Sequence, residues 1–318
     1  LLLVLFGEDA GRTLRWQVCG NAGSLHDNSW TVLRRLYFCT ITTLAKSLTT
    51  LPTYYLSHGG GPWPWMRAQT GSTYDVLDAS LKDMRQELLE LPRAALVISA
   101  HWEEDAFCFS SAARPGMIYD YYGFPPETYE ITYPAPGMPS LAERAHALLA
   151  EGGIATRLDP ERGFDHGTFS LMQAIYPEAQ MPIVQMSIRR DFDPAAHIEA
   201  GRLFAPLRDE GVLIIGSGLS YHNLRAMFGG QGNAPSHAFN GWLQDSLVRQ
   251  SGPERIDRLL DWERAPAARL VHPREDHLMP LHVALGAAVE ETAQVTYHED
   301  DFMGGIAASS FRFGAAPV

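Results

Sequence analysis

The chain has 318 residues, 46% of them hydrophobic and 19% charged, a globular composition long enough for one large α/β domain or two smaller ones. Its 25 basic and 37 acidic residues give a formal charge of -12 with no Lys/Arg-rich run, so nucleic acid and anionic membranes are repelled at long range and neither is expected as a partner. Cys19, Cys39 and Cys108 are an odd number without a close pair; they fit neither a disulfide framework nor a sulfur metal cluster and agree with a reducing compartment.

The opening LLLVLF runs only six residues before Gly7. It is too short for a membrane span and lacks the charged front and longer apolar core of an export signal, so a cytoplasmic location is expected. Residues 1 to about 50 show no sustained period and read as an N-terminal extension of uncertain order, with a catalytic domain expected over 51–318. Regular patterning begins with PTYYLSHGGGP, a short apolar strand reaching three glycines that turn without Cβ collisions, with Pro62 fixing the exit. That pattern puts His58 at the carboxyl end of a strand.

A helix is expected over about Thr73–Leu91, with Val76, Leu77, Leu81, Met84, Leu88 and Leu91 as its apolar stripe and Pro92 as its stop. The run AALVISA, 94–100, is apolar on both faces like a central parallel strand, and it ends at His101 and Trp102. The aromatic, proline-rich segment 117–137 reads as a long loop that either shapes a pocket or packs its rings on the core. Ser140 and Glu143 have capping-box spacing for the next helix, and MPIVQMSI, 181–188, is a further strand.

Asp193 before Pro194 predicts a helix start, since Asp accepts from free first-turn amides and Pro has no amide to waste; that helix should reach about Asp209. GVLIIGSG, 211–218, is another fully apolar strand and delivers His222 into a loop. Helices near Ser236–Arg249 and over 278–292 follow, and GIAASSFRFG reads as a last strand returning to the sheet. The fold class expected is therefore α/β: a single domain with a central, mostly parallel or mixed sheet flanked by helices.

Twelve histidines invite coincidence. His146, His197 and His282 fall inside helices and read as packing or surface residues, as do His26, His237 and His298, while His272 has no local reason to join a site. His58, His101 and His222 differ because each follows an apolar strand, and open α/β sheets gather ligands outside the carboxyl ends of their strands. His277, in PREDHLMPL, lies between a polar loop and a helix start, where its charged neighbours either cap the helix or accompany a site. Three neutral imidazoles would hold a borderline divalent ion and leave positions for water or substrate. Trp102, Tyr121, Tyr122 and Phe124 are candidates for an aromatic slot or for loop packing. The glycines at 59–61 have neither Walker nor dinucleotide-loop spacing, and Ser217 lacks the nucleophile-elbow pattern.

From about Leu51 onwards the chain resembles the DODA-type extradiol aromatic ring-opening dioxygenases of the LigB-like superfamily, which includes the 4,5-DOPA extradiol dioxygenases. The matching stations are SHGGGP (57–62), SAHW (99–102), YDYYGFPPETYEITYPAPG (119–137), GFDHGTF (163–169), SGLSYHNL (217–224) and REDHLMPL (274–281). The resemblance implies a LigB-like fold, His58, His101 and His277 as metal ligands, His222 as the acid/base, also grouped with the metal shell, and His166 as a catalytic histidine that positions substrate or oxygen. It further implies Fe(II) for activity, with Zn(II) able to occupy the same site, and O2-dependent opening of a catechol, DOPA or a related one, to a muconate semialdehyde. Phe169 and Tyr119 depart from the pattern, standing where related chains often carry Trp and His. A zinc hydrolase or other metal enzyme is the alternative reading, and a non-catalytic binding protein the remaining one. The oligomeric state is left open.

Overall fold

The three apolar runs that read as buried strands lie together in the middle of one eight-stranded sheet. The computed structural model describes residues 50–316, apart from Leu89 and Ser251; the N-terminal extension, Cys19, Cys39 and His26 lie outside the described residues. The strands are β1 (Thr53–Ser57), β2 (Ala94–Glu104), β3 (Phe107–Ser110), β4 (Thr156–Asp159), β5 (Ile183–Arg189), β6 (Val212–Gly218), β7 (Ala293–Phe302) and β8 (Ile306–Phe313). Their order across the sheet is β4-β3-β5-β2-β6-β1-β8-β7.

The four central strands β5, β2, β6 and β1 run parallel, while β8 and β7 add an antiparallel edge on one side and β3 meets β5 antiparallel on the other. The sheet is thus mixed around a parallel centre. β1 and β6 are buried along their whole length, as is β2 from Ala94 to Ala100, because helices cover both faces of a sheet of this kind. Among the described residues no helix is long and apolar enough to cross a membrane.

The main helices are α1 (Asp75–Glu87), α2 (Pro139–Glu151), α3 (His166–Ile175), α4 (Pro194–Asp209), α5 (Asn233–Gln244), α6 (Gly252–Leu260) and α7 (Met279–Gly286). The Asp193–Pro194 expectation is met: the Asp193 carboxylate accepts from Ala195 N at 3.0 Å, Pro194 is the first helical residue, and α4 ends at Asp209. All eight residues of α7 are buried, so a helix apolar all round is packed all round.

Several boundaries differ from the sequence reading. α1 stops at Glu87, where Leu88 turns extended, so Leu91 lies beyond it and is exposed, and Val76, within α1, is exposed rather than part of its stripe. Ser140 does not cap α2: Pro139 takes the first helical position, Met138 precedes it, and no side chain caps the end. α7 ends at Gly286, short of the expected 292. Strands β3, β4 and β7 carried no clear signal, because β4 is four residues of mixed exposure and β7 is a polar edge.

Candidate active site

The carboxyl ends of the parallel strands bring the histidines together. His58 follows β1 directly and its amide donates to Gly218 O at the end of β6 (3.1 Å). Gly59, with φ +75°, leaves room for the Trp63 indole, whose N–H donates to His58 O at 2.8 Å; a Cβ there would stand 2.5 Å from that nitrogen. His101 lies in an irregularity of β2, where pairing with β5 jumps from Ser99 to Glu103, and such bulges re-aim side chains beside active sites.

His277 approaches the end of β6 so closely that a Cβ on Gly218 would stand 2.2 Å from His277 O. That carbonyl accepts from the Tyr55 hydroxyl at 2.7 Å. His222 is held by its backbone: its amide donates to Val271 O (3.1 Å), while Asn223 binds Leu270 O and caps the short turn Leu224–Phe228. His272, buried, donates to Ser220 O at 3.1 Å and braces the same loop from behind.

The Nε2 atoms of His58 and His101 are 3.3 Å apart, and those of His101 and His277 are 3.2 Å apart. Each flanking carboxylate sets a tautomer. His277 Nδ1 lies 2.9 Å from Asp276 Oδ2 and His101 Nδ1 lies 3.2 Å from Asp120 Oδ2, which assigns the protons to Nδ1 and leaves lone pairs on Nε2. Burial pushes His58, His101 and His277 well below the usual imidazole value, with neighbouring histidines adding to the effect, so all three are neutral donors. Lone pairs facing at this distance repel unless a cation lies between them. The donor set therefore fits a divalent ion.

His166 opens α3, with Asp165 as its N-cap. The Asp120 carboxylate accepts from both its amide and its Nδ1 at 2.9 Å, and the ring lies 4.0 Å from that of His101. Asp165 is itself buried against Ser99, Gln185 and Arg162. The His222 ring stacks on His277 at 3.2 Å between centroids, and its Nδ1 is 3.8 Å from Asp276 Oδ1, beyond hydrogen-bond length. Burial brings His222 down to about 4 and raises Asp276 to about 6.

The five histidines with Asp120 and Asp276 line a cavity of about 770 Å³, together with Tyr121, Tyr122 and Phe124 from the aromatic loop. Trp102 is not among the lining residues, which corrects the expectation that it shapes the slot. It is buried, its indole N–H donates to Glu104 and the Arg162 guanidinium covers its ring, as adjacent residues of an extended chain emerge on opposite faces. Phe169 and Tyr119 lie behind the wall, packing on the Tyr121 ring. Sequence reasoning missed Asp120, and it left Asp276 between capping the helix and accompanying a site; their signal was an Asp within one or two residues of an aromatic or histidine station.

The sequence profile described as "Catalytic LigB subunit of aromatic ring-opening dioxygenase" matches residues 52–313. The chain belongs to the LigB family. Among curated relatives, Dioxygenase tasH of Hapsidospora irregularis is 41% identical over 271 residues, covering 80% of this chain and 82% of the relative. The 4,5-DOPA dioxygenase extradiol of Portulaca grandiflora is 36% identical, covering 85% and 98%. A crystal structure of an uncharacterised protein from Escherichia coli K12 superposes with a TM-score of 0.65 at 29% identity, covering 83% of this chain and all of that one. This LigB-family chain is accordingly an extradiol ring-cleaving dioxygenase, consistent with O2 and a small aromatic substrate, and its histidine and aspartate clusters are placed to hold a divalent metal ion.

Proposed function

We propose that the enzyme is Fe(II)-dependent and opens a catechol beside, rather than between, its two hydroxyl-bearing carbons, giving a muconate-semialdehyde-type product. The observation that carries this reading is the convergence of the His58, His101 and His277 Nε2 atoms on one cavity wall, with His222 and His166 beside them. Fe(II) held by those three imidazoles supplies the redox chemistry that joins a catechol to O2, which Zn(II) in a similar site does not.

The chain's own groups supply proton control and orientation. His222, neutral because it is buried, accepts the proton of a catechol hydroxyl and returns it to the opened product. Asp120 accepts from His166 Nδ1–H, so the His166 Nε2 is the end available to accept from a substrate hydroxyl. Asp276 and Asp120 fix the ring orientations of His277 and His101. The Tyr121 hydroxyl is occupied by Thr128 O, so this residue offers the cavity an aromatic face, with Phe124 5.2 Å from it, to flank a flat ring. DOPA, for which several relatives are named, belongs among the first catechols to test.

An anaerobically prepared, Fe(II)-loaded sample given simple catechols, protocatechuate, caffeate and DOPA tests the reading. Equimolar O2 uptake with a yellow ring-opened product is expected. No uptake with any catechol defeats the proposal, and equal rates with Zn(II) defeat its redox basis.

A further inference from the structure

We infer that the cavity selects catechols bearing a large uncharged substituent over those whose substituent carries a carboxylate. The inference rests on the dioxygenase reading above and concerns the part of the cavity that the histidines do not use.

Volume is the first observation. At about 770 Å³ the cavity lies towards the upper end of the roughly 300–1,000 Å³ typical of small-molecule pockets, and a bare catechol leaves most of it unfilled. The second observation is what borders that space. Met66, Tyr74, Met227, Phe228, Phe302 and Met303 form an apolar wall, and three of them are methionines, which adapt their shape to a bulky guest. Phe228 is 76% exposed and Leu224 is 47% exposed, both on the short turn that follows His222. Large apolar side chains held in water beside a binding cavity gain by being covered, and a substituent projecting past His222 covers them.

Charge is the third observation. Among the described lining residues Arg274 is the only Lys or Arg, against Glu103, Asp120 and Asp276. Arg274 is already paired with Glu103, and its guanidinium lies over the Phe192 ring at 4.8 Å. A carboxylate that reaches Arg274 must therefore share its guanidinium with Glu103 and sit beside that acid's negative charge, or go without a cation. An uncharged aryl or branched alkyl group pays neither cost and buries the apolar wall.

The test compares phenylcatechol and tert-butylcatechol with catechol, protocatechuate, caffeate and DOPA. Rates are measured as kcat/KM on the Fe(II)-loaded enzyme, and affinities by tryptophan fluorescence quenching on the Zn(II)-loaded protein, where Trp63 lines the cavity. Phenylcatechol is expected to exceed DOPA and protocatechuate by about tenfold or more in both measurements, the scale set by burying a few methylene equivalents. Phe228→Ala and Met227→Ala should each reduce that ratio several-fold. If DOPA or protocatechuate leads, or if the variants lose phenylcatechol and DOPA in equal proportion, the inference falls while the dioxygenase reading stands. Absence of O2 uptake with every catechol removes both.

Discussion

His101 and His277 point Nε2 at Nε2 across 3.2 Å, and each ring has its other nitrogen against a carboxylate, Asp120 for one and Asp276 for the other. The carboxylates turn both lone pairs inward, so the fold holds a repulsive contact that a divalent ion converts into an attractive one.

Adding Zn(II) to chelator-treated protein should therefore raise its thermal midpoint. At a free metal concentration about a hundredfold above Kd, linkage gives roughly 2.7 kcal/mol of added stability. His101→Ala removes one donor and should abolish most of the shift. An equal rise in wild type and variant would place the ion elsewhere.

Asp120 touches two site histidines, accepting from His101 Nδ1 and from the His166 amide and ring. Asp120→Asn keeps the shape but weakens both restraints, and losses of this outer kind cost about 10–100-fold in metal affinity or activity. The fold should survive, as judged by circular dichroism and by an unchanged midpoint without metal. Metal affinity measured by competition with a chromophoric chelator should fall within that range. Unaltered affinity would show that the carboxylate does not position His101.

How much of this centre was legible depended on how local its causes are. The runs TYYLS, AALVISA and VLIIGSG announced buried parallel strands, and their ends announced His58, His101 and the loop of His222, because a strand buried on both faces must be apolar throughout. His277 was legible only through resemblance, since the close approach of its loop to Gly218 joins segments about sixty residues apart. Asp120 was hidden for a similar reason: its partners His101 and His166 lie on other elements. Trp102, a candidate for the aromatic slot or for packing, lies outside the cavity lining, because an extended chain separates neighbours to opposite faces. The capping-box pattern at Ser140 and Glu143 was overridden by Pro139, which fits the first helical position better than any residue after it.

Gly218 gives the loop of His277 its closest approach, with the carbonyl already bound by Tyr55 and Leu219. Gly218→Ala drives a methyl group into backbone that cannot swing away, an overpacking that typically costs about 1–3 kcal/mol. It should also displace His277, so metal affinity should fall alongside stability. Gly241→Ala, in α5 with open space around the added Cβ, serves as the control. It should be neutral or stabilising by up to about 1 kcal/mol, as expected for Gly to Ala inside a helix. Equal losses in the two variants would contradict the close-approach argument.

Away from the metal centre, His197 makes the stability of α4 depend on pH. The ring is fully buried, with Nδ1 donating to Asp193 O at 2.7 Å and Nε2 accepting from the Arg189 amide at 3.2 Å, an arrangement open only to the neutral form. Burial, helped by His282 and Arg189 and opposed by the Asp193 carbonyl and Asp191, lowers it to about 4. Its contribution is therefore fully present above the unfolded-state value and is lost as pH falls from there towards 4, since over that window the unfolded chain binds the extra proton. For an unfolded imidazole near 6.5, the loss reaches roughly 2 kcal/mol by about pH 5. Urea unfolding across this range should show the wild type losing stability faster than His197→Gln. The variant starts from a lower value at neutral pH, because the Arg189 amide and Asp193 carbonyl are less well matched. The difference between the two proteins isolates His197 from the other buried histidines, and parallel curves would mean that the ring is not held neutral by the fold.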